Sequence, residues 1–533
     1  MTLQGSARTF ALLRAAAILA GQGRKASAQT LRAGFTFERI ALAISGQRPA
    51  VAQAAATPRS SDFRVAAILD EFSSNSFGNA FEAIHLHPDT WQAQFEANRP
   101  QVFLCESAWS GRDSQIRPWK GKIYASTNFP RENRQILLDI LAYCRAAGIP
   151  TVFWNKEDPT HYPDRVHDFV KTATGFDHVF TTAAECVPLY RAEYGLQSVH
   201  ALPFATNPVL FNPIDLAPRS DAVTFAGSWY ANHVGRSRDM HKVLRGLRSA
   251  GYELEIYDRY HGDSDPLHQW PDEYRPFVRP AVPHDQVASV YKRSRLALNI
   301  NTVTESRTMF ARRVFELMSS NTLVLSNHSL GMEEMFGEDV IFCDRDRDLD
   351  RLKSLDSAGI DEIRARNLNR VLRMHTYRNR WESILRVIGL PFQPAAEALT
   401  VVWPLRSTAE ADRALVWFQQ EADLTRDRLL LFAMEDMAPL EVAGLYESHN
   451  CFGVTVTSLA HAENLALEGR YAPVETEHAA LIDTTAPPPP GWLSKARLHL
   501  QYAGDRALRA AGGGTTTLMR HSAVPTDLLE IRL

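Results

Sequence analysis

Two arginines and a glutamate, Arg312, Arg313 and Glu316, mark the place where this chain could do chemistry. They lie within Leu296–Ser326, LALNINTVTESRTMFARRVFELMSSNTLVLS. The apolar run Leu296–Ile300 predicts a buried strand, and Thr302–Thr308 a polar loop. Apolar spacing predicts a helix over Met309–Ser319, and Thr322–Ser326 reads as a second strand. A helix that opens after a strand presents N–H groups to an anion. Guanidinium groups beside it add charge-assisted bonds to phosphate. An acid nearby can accept from ribose hydroxyls, as in dinucleotide-binding folds. The stretch therefore suits a sugar nucleotide. The same residue types on an amphipathic helix also make an ordinary solvated face, so the rest of the chain has to decide between them.

Other polar clusters follow apolar strands. Gly227-Ser228 ends one strand, where glycine lets backbone approach a ligand and N–H groups can bind phosphate; a plain turn is the competing reading. Arg259 follows another strand and suits a pyrophosphate or a pairing with Asp258. The densest cluster is Trp154-Asn155-Lys156-Glu157-Asp158-Pro159. Glycosyl transfer needs a base for the acceptor hydroxyl unless a retaining route is used, and Glu157, Asp158 or His161 could serve. An Asx-type turn before Pro159 is the alternative. His161 alone reads as structural.

The elements that must position these residues are strands and helices in alternation. From Phe63, strands over Arg64–Leu69, Val102–Cys105, Thr151–Trp154, Val179–Thr181 and Ser198–Leu202 alternate with helical segments. From Ala222 the rhythm restarts with VTFAGS, LEIYDR, the stretch above and Val340–Cys343. Such alternation implies βαβ units and parallel sheets covered on both faces. Two such sheets in tandem leave a cleft, and ligands of open α/β sheets sit beyond the carboxyl ends of the strands. The expected fold class is α/β, with an N-terminal helical appendage and linker (1–60), a first Rossmann-like domain (61–215), a second (216–392) and a smaller C-terminal α/β domain (393–533).

The chain has 533 residues, 45% hydrophobic and 22% charged, with net charge −3. Residues 1–60 hold eight Lys/Arg and one acid, while the remainder holds 50 basic residues against 60 acidic. An acidic body argues against a nucleic-acid-binding surface. The basic N-terminal segment reads as a helical appendage, with contact to an anionic membrane surface as the sharper alternative. Five dispersed cysteines suggest free thiols in a reducing compartment. No apolar run is long enough for a membrane span. The absence of a Gly-x-Gly-x-x-Gly motif after the first strand, of a P-loop and of zinc-type His/Cys spacing argues against a dehydrogenase, an ATPase and a metallohydrolase.

Several motifs in order resemble the CgeB-like (spore-maturation) glycosyltransferases: TMFARRVFEL from Thr308, FWNKEDP at 153–159, LPFATNP at 202–208, TFAGSWY at 224–230 and HTYRNR at 375–380. The resemblance spans about residues 62–390. It implies a GT-B fold, two Rossmann-like domains with a nucleoside diphosphate sugar on the second and the acceptor on the first. It implies no bound metal and no cofactor beyond the donor substrate. By that likeness Glu316 holds the donor ribose, Arg312, Arg313 and Gly227-Ser228 lie at the diphosphate, and Thr308 and Arg259 join the donor-binding set. Two departures stand out. The usual small-residue turn after the helix is Ser319-Ser320-Asn321-Thr322 here, where Asn tolerates the left-handed conformation. Arg307 stands where many relatives have proline.

Residues 393–533 resemble the start of a GT-A (family 2) domain. The expected Asp-x-Asp site is Ala480-Leu481-Ile482-Asp483-Thr484-Thr485-Ala486, with the second acid missing, so a divalent cation would be held poorly. A catalytically silent domain is expected. The implied activity is sugar transfer to a glycan, lipid-linked or protein acceptor, in the cytoplasm or at the inner membrane face. The competing readings are an epimerase or hydrolase on the same fold, or a non-catalytic nucleotide- or glycan-binding scaffold.

Overall fold

The computed structural model describes residues 40, 57–215, 217–283, 286–394, 398–467, 473–474, 476–504, 506–510, 516–520 and 528–531. The chain forms two compact units, Thr57–Ala395 and Met1–Ala56 together with Ala396–Leu533. The expected helices of residues 1–46 lie outside the described residues except at Ile40, as does the Gly512–Gly514 segment of the tail.

The first sheet of Thr57–Ala395 comprises β1 (Arg64–Ile68), β2 (Glu82–His85), β3 (Val102–Glu106), β4 (Thr151–Asn155), β5 (His178–Thr181) and β6 (Val199–Ala201). Its order is β2-β1-β3-β4-β5-β6, and every pairing is parallel. All residues of β3 (VFLCE) and β4 (TVFWN) are buried, as a sheet covered on both faces requires. The helix Gln135–Ala147 closes at Gly148 with φ 66°, the left-handed cap that glycine permits. The sequence rhythm anticipates five of these strands; β2 is a short edge strand whose residues EAIH carry no clear alternation.

The second sheet comprises β7 (Ser220–Ala226), β8 (Leu254–Asp258), β9 (Val278–Pro280), β10 (Ser294–Asn299), β11 (Leu323–Ser326) and β12 (Ile341–Phe342). Its order is β12-β11-β10-β7-β8-β9, again parallel throughout. Thr57–Ala395 therefore holds two Rossmann-like sheets in tandem, as the alternation of strands and helices predicts. In the turn after Met318, Asn321 takes φ 54°, so this asparagine supplies the left-handed residue.

Two helices close the unit: α1 (Ser357–Met374) and α2 (Tyr377–Val387). Asp356 caps α1 by accepting from the Gly359 N–H, and Thr376 caps α2 in a reciprocal box with Asn379. The second of these helices packs away from the sheet that precedes it in sequence. Tyr377, Trp381, Ile384 and Leu385 of α2 pack in one core with Phe63, Phe77, Trp154 and Leu202 of the first domain. The chain crosses back because these apolar side chains complete the outer face of the first sheet. The crossing is pinned where the Thr206 N–H donates to His375 and the Tyr377 N–H donates to Thr206.

In the other unit, β13 (Leu399–Leu405), β14 (Arg428–Ala433), β15 (Val454–Ser458), β16 (His478–Leu481), β17 (Ala507–Ala510), β18 (Thr517–Arg520) and β19 (Leu528–Ile531) form one sheet, ordered β15-β14-β13-β16-β18-β17-β19. The first four are parallel, and β18 runs antiparallel to β16 and β17. Asp483 follows β16 and accepts from the Thr485 and Ala486 N–H groups, an Asx-type turn. Among the described residues no helix is long and apolar enough to cross a membrane.

Candidate active site

In each sheet of Thr57–Ala395 the strand order reverses once, beside β1 in the first and beside β7 in the second. Such switch points open a crevice at the carboxyl ends of the strands. At the second one, Gly227 and Ser228 leave β7 while the loop from β10 brings in Arg312 and Arg313.

A cavity of about 430 Å³ occupies that crevice, within the range of small-molecule sites. It is lined by Gly227, Ser228, Tyr230, Arg236, Arg259, Tyr291, Arg312, Arg313 and Glu316, with apolar Ala281, Val282 and Val287, and Phe72 reaches it from the first domain. Glu316 is the one acid among these lining residues. Besides Arg312, three more arginines line the cavity. Arg313 lies over the Phe225 ring (5.4 Å), and its Nε is buried without a partner. Arg259 donates to the Tyr230 hydroxyl and lies over the Tyr260 ring at 5.0 Å. Arg236 donates to the Ser228 carbonyl at 3.1 Å. Burial, with the neighbouring Arg313 and Arg259 charges, pushes the Arg236 guanidinium down to about 10. Like charges gathered in a half-buried hollow repel, and the arrangement becomes favourable once an anion joins them. The Ser228 hydroxyl is buried and unpartnered, a donor left for a ligand. Gly227 has no room for a side chain, since a Cβ there would stand 2.4 Å from the Phe225 ring.

Glu316 is 7% exposed. It lies 3.3 Å from Arg312 Nε and accepts from the Tyr291 hydroxyl at 3.3 Å. Burial raises its carboxyl above the ordinary value, against the pull of Arg312 and Arg313. The helix carrying it is shorter than expected, Arg313–Ser319. Residues 309–311 are irregular instead, because the Ala311 N–H donates to Asn301 Oδ1 and the Met309 N–H to Ser306 Oγ. The Val314 and Phe315 N–H groups are bonded to the Ala311 and Arg312 carbonyls. Side-chain guanidinium groups, rather than those helix-start amides, are the donors that this wall of the cavity leaves available.

Thr308 stands apart from the cavity lining. Its hydroxyl donates to the Thr182 carbonyl (2.7 Å) and accepts from the Ala184 N–H (2.8 Å). Its donor and one of its two acceptor positions tie the two Rossmann-like domains together.

The first switch point faces Arg312. Lys156 Nζ donates to Asp70 (2.8 Å) and Glu106 (2.9 Å). Asp70 also accepts from the Trp109, Ser110 and Gly111 N–H groups. Burial alone would raise Asp70, but Lys156 and these donors hold it below its usual range. Burial would likewise lower Arg312, yet Tyr377, Glu316 and Glu106 hold it up. Its guanidinium lies over Phe72 and Phe204 of the first domain, 5.1 and 5.8 Å from their ring centres. Arg312 is thus the side chain that bridges the cleft.

Glu157 and Asp158 part company. Glu157 is half-buried and accepts from the Trp109 indole at 2.9 Å. Asp158 has no exposure, and accepts from Asn155 (2.9 Å), Thr181 (2.7 Å) and Tyr190 (3.0 Å). Burial pushes its carboxyl up to about 7. Enclosed by three side chains, Asp158 holds its loop, and of the two carboxylates Glu157 is the one with exposure.

Sequence reading marks Asp70, Glu106 and Lys156 as polar ends of strands without showing that the three meet, and it does not single out Arg236. One signal for Arg236 is its place in the first turn of Val234–Ser249, an end of a helix where the dipole disfavours a cation.

Residues 236–386 match a family model described as glycosyl transferase-like. That range begins at Arg236 and contains Arg259, Arg312, Arg313 and Glu316. No curated protein matches the chain in sequence. Among solved structures, an alpha-glucosyltransferase in complex with UDP is similar at 10% identity and TM-score 0.43, over 62% of this chain and 100% of that one. TarM is similar at 10% identity and TM-score 0.33, over 54% of each chain. The N-terminal domain of Candida albicans trehalose-6-phosphate phosphatase is similar at 9% identity and TM-score 0.37, over 65% of this chain and 99% of that one.

Proposed function

We propose that the chain is a glycosyltransferase of the CgeB-like kind, moving a sugar from a nucleoside diphosphate donor to an acceptor hydroxyl. The observation that carries this reading is the convergence of Arg236, Arg259 and Arg313 on one cavity whose single acid, Glu316, is already engaged by Arg312. A diphosphate supplies the missing negative charge, and the matched family range supports the same assignment. The nucleoside lies toward Ala281, Val282 and Val287, with Glu316 accepting from the ribose. The diphosphate lies among the arginines and accepts from Ser228 Oγ.

In transfer, the bond between the anomeric carbon and the diphosphate breaks as the acceptor oxygen bonds to that carbon. Charge develops on the departing diphosphate, where preorganised guanidinium groups stabilise it most. The acceptor enters from the first domain. Glu157, positioned by Trp109, is the carboxylate available there to take its proton. Arg312, spanning both domains, links donor binding to the acceptor side. The acceptor is a surface glycan, a lipid-linked sugar or a protein, and the enzyme acts in the cytoplasm or at the inner membrane face. The C-terminal α/β unit, with Asp483 alone where two acids would be needed, acts as a docking domain.

A thermal-shift screen with UDP-, GDP-, dTDP- and CMP-sugars tests the reading, since a ligand that binds only the folded state raises the melting temperature. One nucleoside diphosphate series should raise Tm in the wild type and fail to do so in Arg313→Ala. No shift with any donor, or an equal shift in the variant, would overturn the site.

A further inference from the structure

Beside the first switch point, three side chains from one loop converge outside the donor cavity. His161 Nδ1 lies 3.0 Å from Asp164 Oδ2, and His167 Nδ1 lies 3.1 Å from the same oxygen. All three ligand atoms fall within 4.8 Å of one another. The sequence spacing, His-x-x-Asp-x-x-His, differs from the His/Cys patterns of zinc fingers and zincins, so it carries no familiar signature.

We propose that His161, Asp164 and His167 bind one divalent transition-metal ion, with Zn²⁺ the best chemical match. Two imidazoles and one carboxylate are the donor types such ions take, and three protein ligands leave an open coordination position. A tetrahedral centre with bonds of about 2.0–2.2 Å spaces its donors roughly 3.3–3.5 Å apart. The two His–Asp separations need to widen by a few tenths of an ångström.

The surroundings orient the donors as outer-sphere groups do in metal sites. Asp164 Oδ1 accepts from the Val166 and His167 N–H groups (2.8 and 3.1 Å), which aims Oδ2 between the two rings. An Asx-type turn needs only Oδ1, so the gathering of two imidazoles on Oδ2 is additional to the turn. Trp109 packs edge-on against both rings, 5.4 Å from His161 and 5.1 Å from His167. The same indole donates to Glu157. An ion here fastens the loop that carries Glu157 and presents an open position toward the acceptor side. Ion binding itself stands whether or not the chain transfers sugar.

The test is equilibrium binding on the full chain after chelator treatment. Zn²⁺ is measured by competition with a chromophoric chelator, and Co²⁺ by its visible absorption. One ion per chain is expected, with a Co²⁺ spectrum of low coordination number. The double variant His161→Ala/His167→Ala should lose it, and the isosteric Asp164→Asn should weaken it at least about tenfold, the loss of one ligand. Absence of binding at about 10 µM free Zn²⁺, far above the level a three-ligand site requires, overturns the proposal. So does undiminished binding in the double variant. Should the double variant fail to fold, Asp164→Asn decides by the same criterion.

Discussion

Arg312 and Glu316 form an ion pair, Nε to Oε1 at 3.3 Å, on the wall between the donor cavity and the first domain. The guanidinium also reaches Phe72 and Phe204 across the cleft. Glu316 neutralises a bridging cation, and in the proposed function it also presents an acceptor to the donor ribose. Glu316→Gln keeps the shape and removes the charge. Donor affinity by calorimetry should fall about tenfold, the worth of one charge-assisted hydrogen bond. Unchanged affinity places the ribose elsewhere.

Arg236 gives a prediction with opposite signs in the two states. Without ligand it is one of three crowded cations and lies beside Arg313 and Arg259. Arg236→Met should leave Tm unchanged or raise it, since like-charge repulsion is relieved and the stem still packs. Donor binding should weaken by about 1.5–3 kcal/mol if a phosphate oxygen is its partner. A lower Tm with donor affinity intact would assign Arg236 to structure alone.

Thr308 makes its bonds to the first domain, so its loss should show in the joint. Thr308→Val leaves the Ala184 N–H without its acceptor and removes the bond to the Thr182 carbonyl. A cost of about 1–3 kcal/mol is expected, visible as a lower Tm. Calorimetric donor affinity should stay near wild type, while turnover falls because the two domains no longer hold a fixed relation.

Asp158 has a pH signature. Its folded carboxyl is raised to about 7 from an ordinary 3.8 by burial. Between those values the folded state keeps a proton that the unfolded state has released. Stability therefore declines as pH rises from about 4 to about 7, and is level in this respect above. Asp158→Asn mimics the protonated form. The difference in Tm between variant and wild type should grow in favour of the variant across that window. A difference independent of pH would mean that the carboxyl titrates normally.

Contiguous features were legible in the amino-acid order. Strands β3, β4 and β10 are apolar runs, and Gly227-Ser228 and Arg312–Glu316 lie where chain direction puts the carboxyl ends of strands. What sheet order alone creates was not legible. Asp70, Glu106 and Lys156 are separated by 36 and 50 positions, and they meet because β1, β3 and β4 are neighbours. The helix start was misplaced because Met309 and Phe310 carry helical spacing, while Asn301 and Ser306 capture the amides that a helix would use. Asp158 looked reactive because neighbours in sequence say nothing of Tyr190 and Thr181 closing over it. Trp381 and its neighbours promised a helix without showing which sheet it would cover.

The return of Tyr377–Val387 to the first sheet means that the polypeptide passes between the two lobes twice, at Thr206 and at His375–Tyr377, with both passages stitched side by side. Two tethers at one spot permit swinging and resist sliding. Any widening of the crevice is then a rotation about that seam, with its largest travel at the far rim. A protein cut after residue 215 would lose both the seam and the packing of Tyr377–Val387 against the first sheet, so the second lobe cannot be removed as a simple C-terminal deletion.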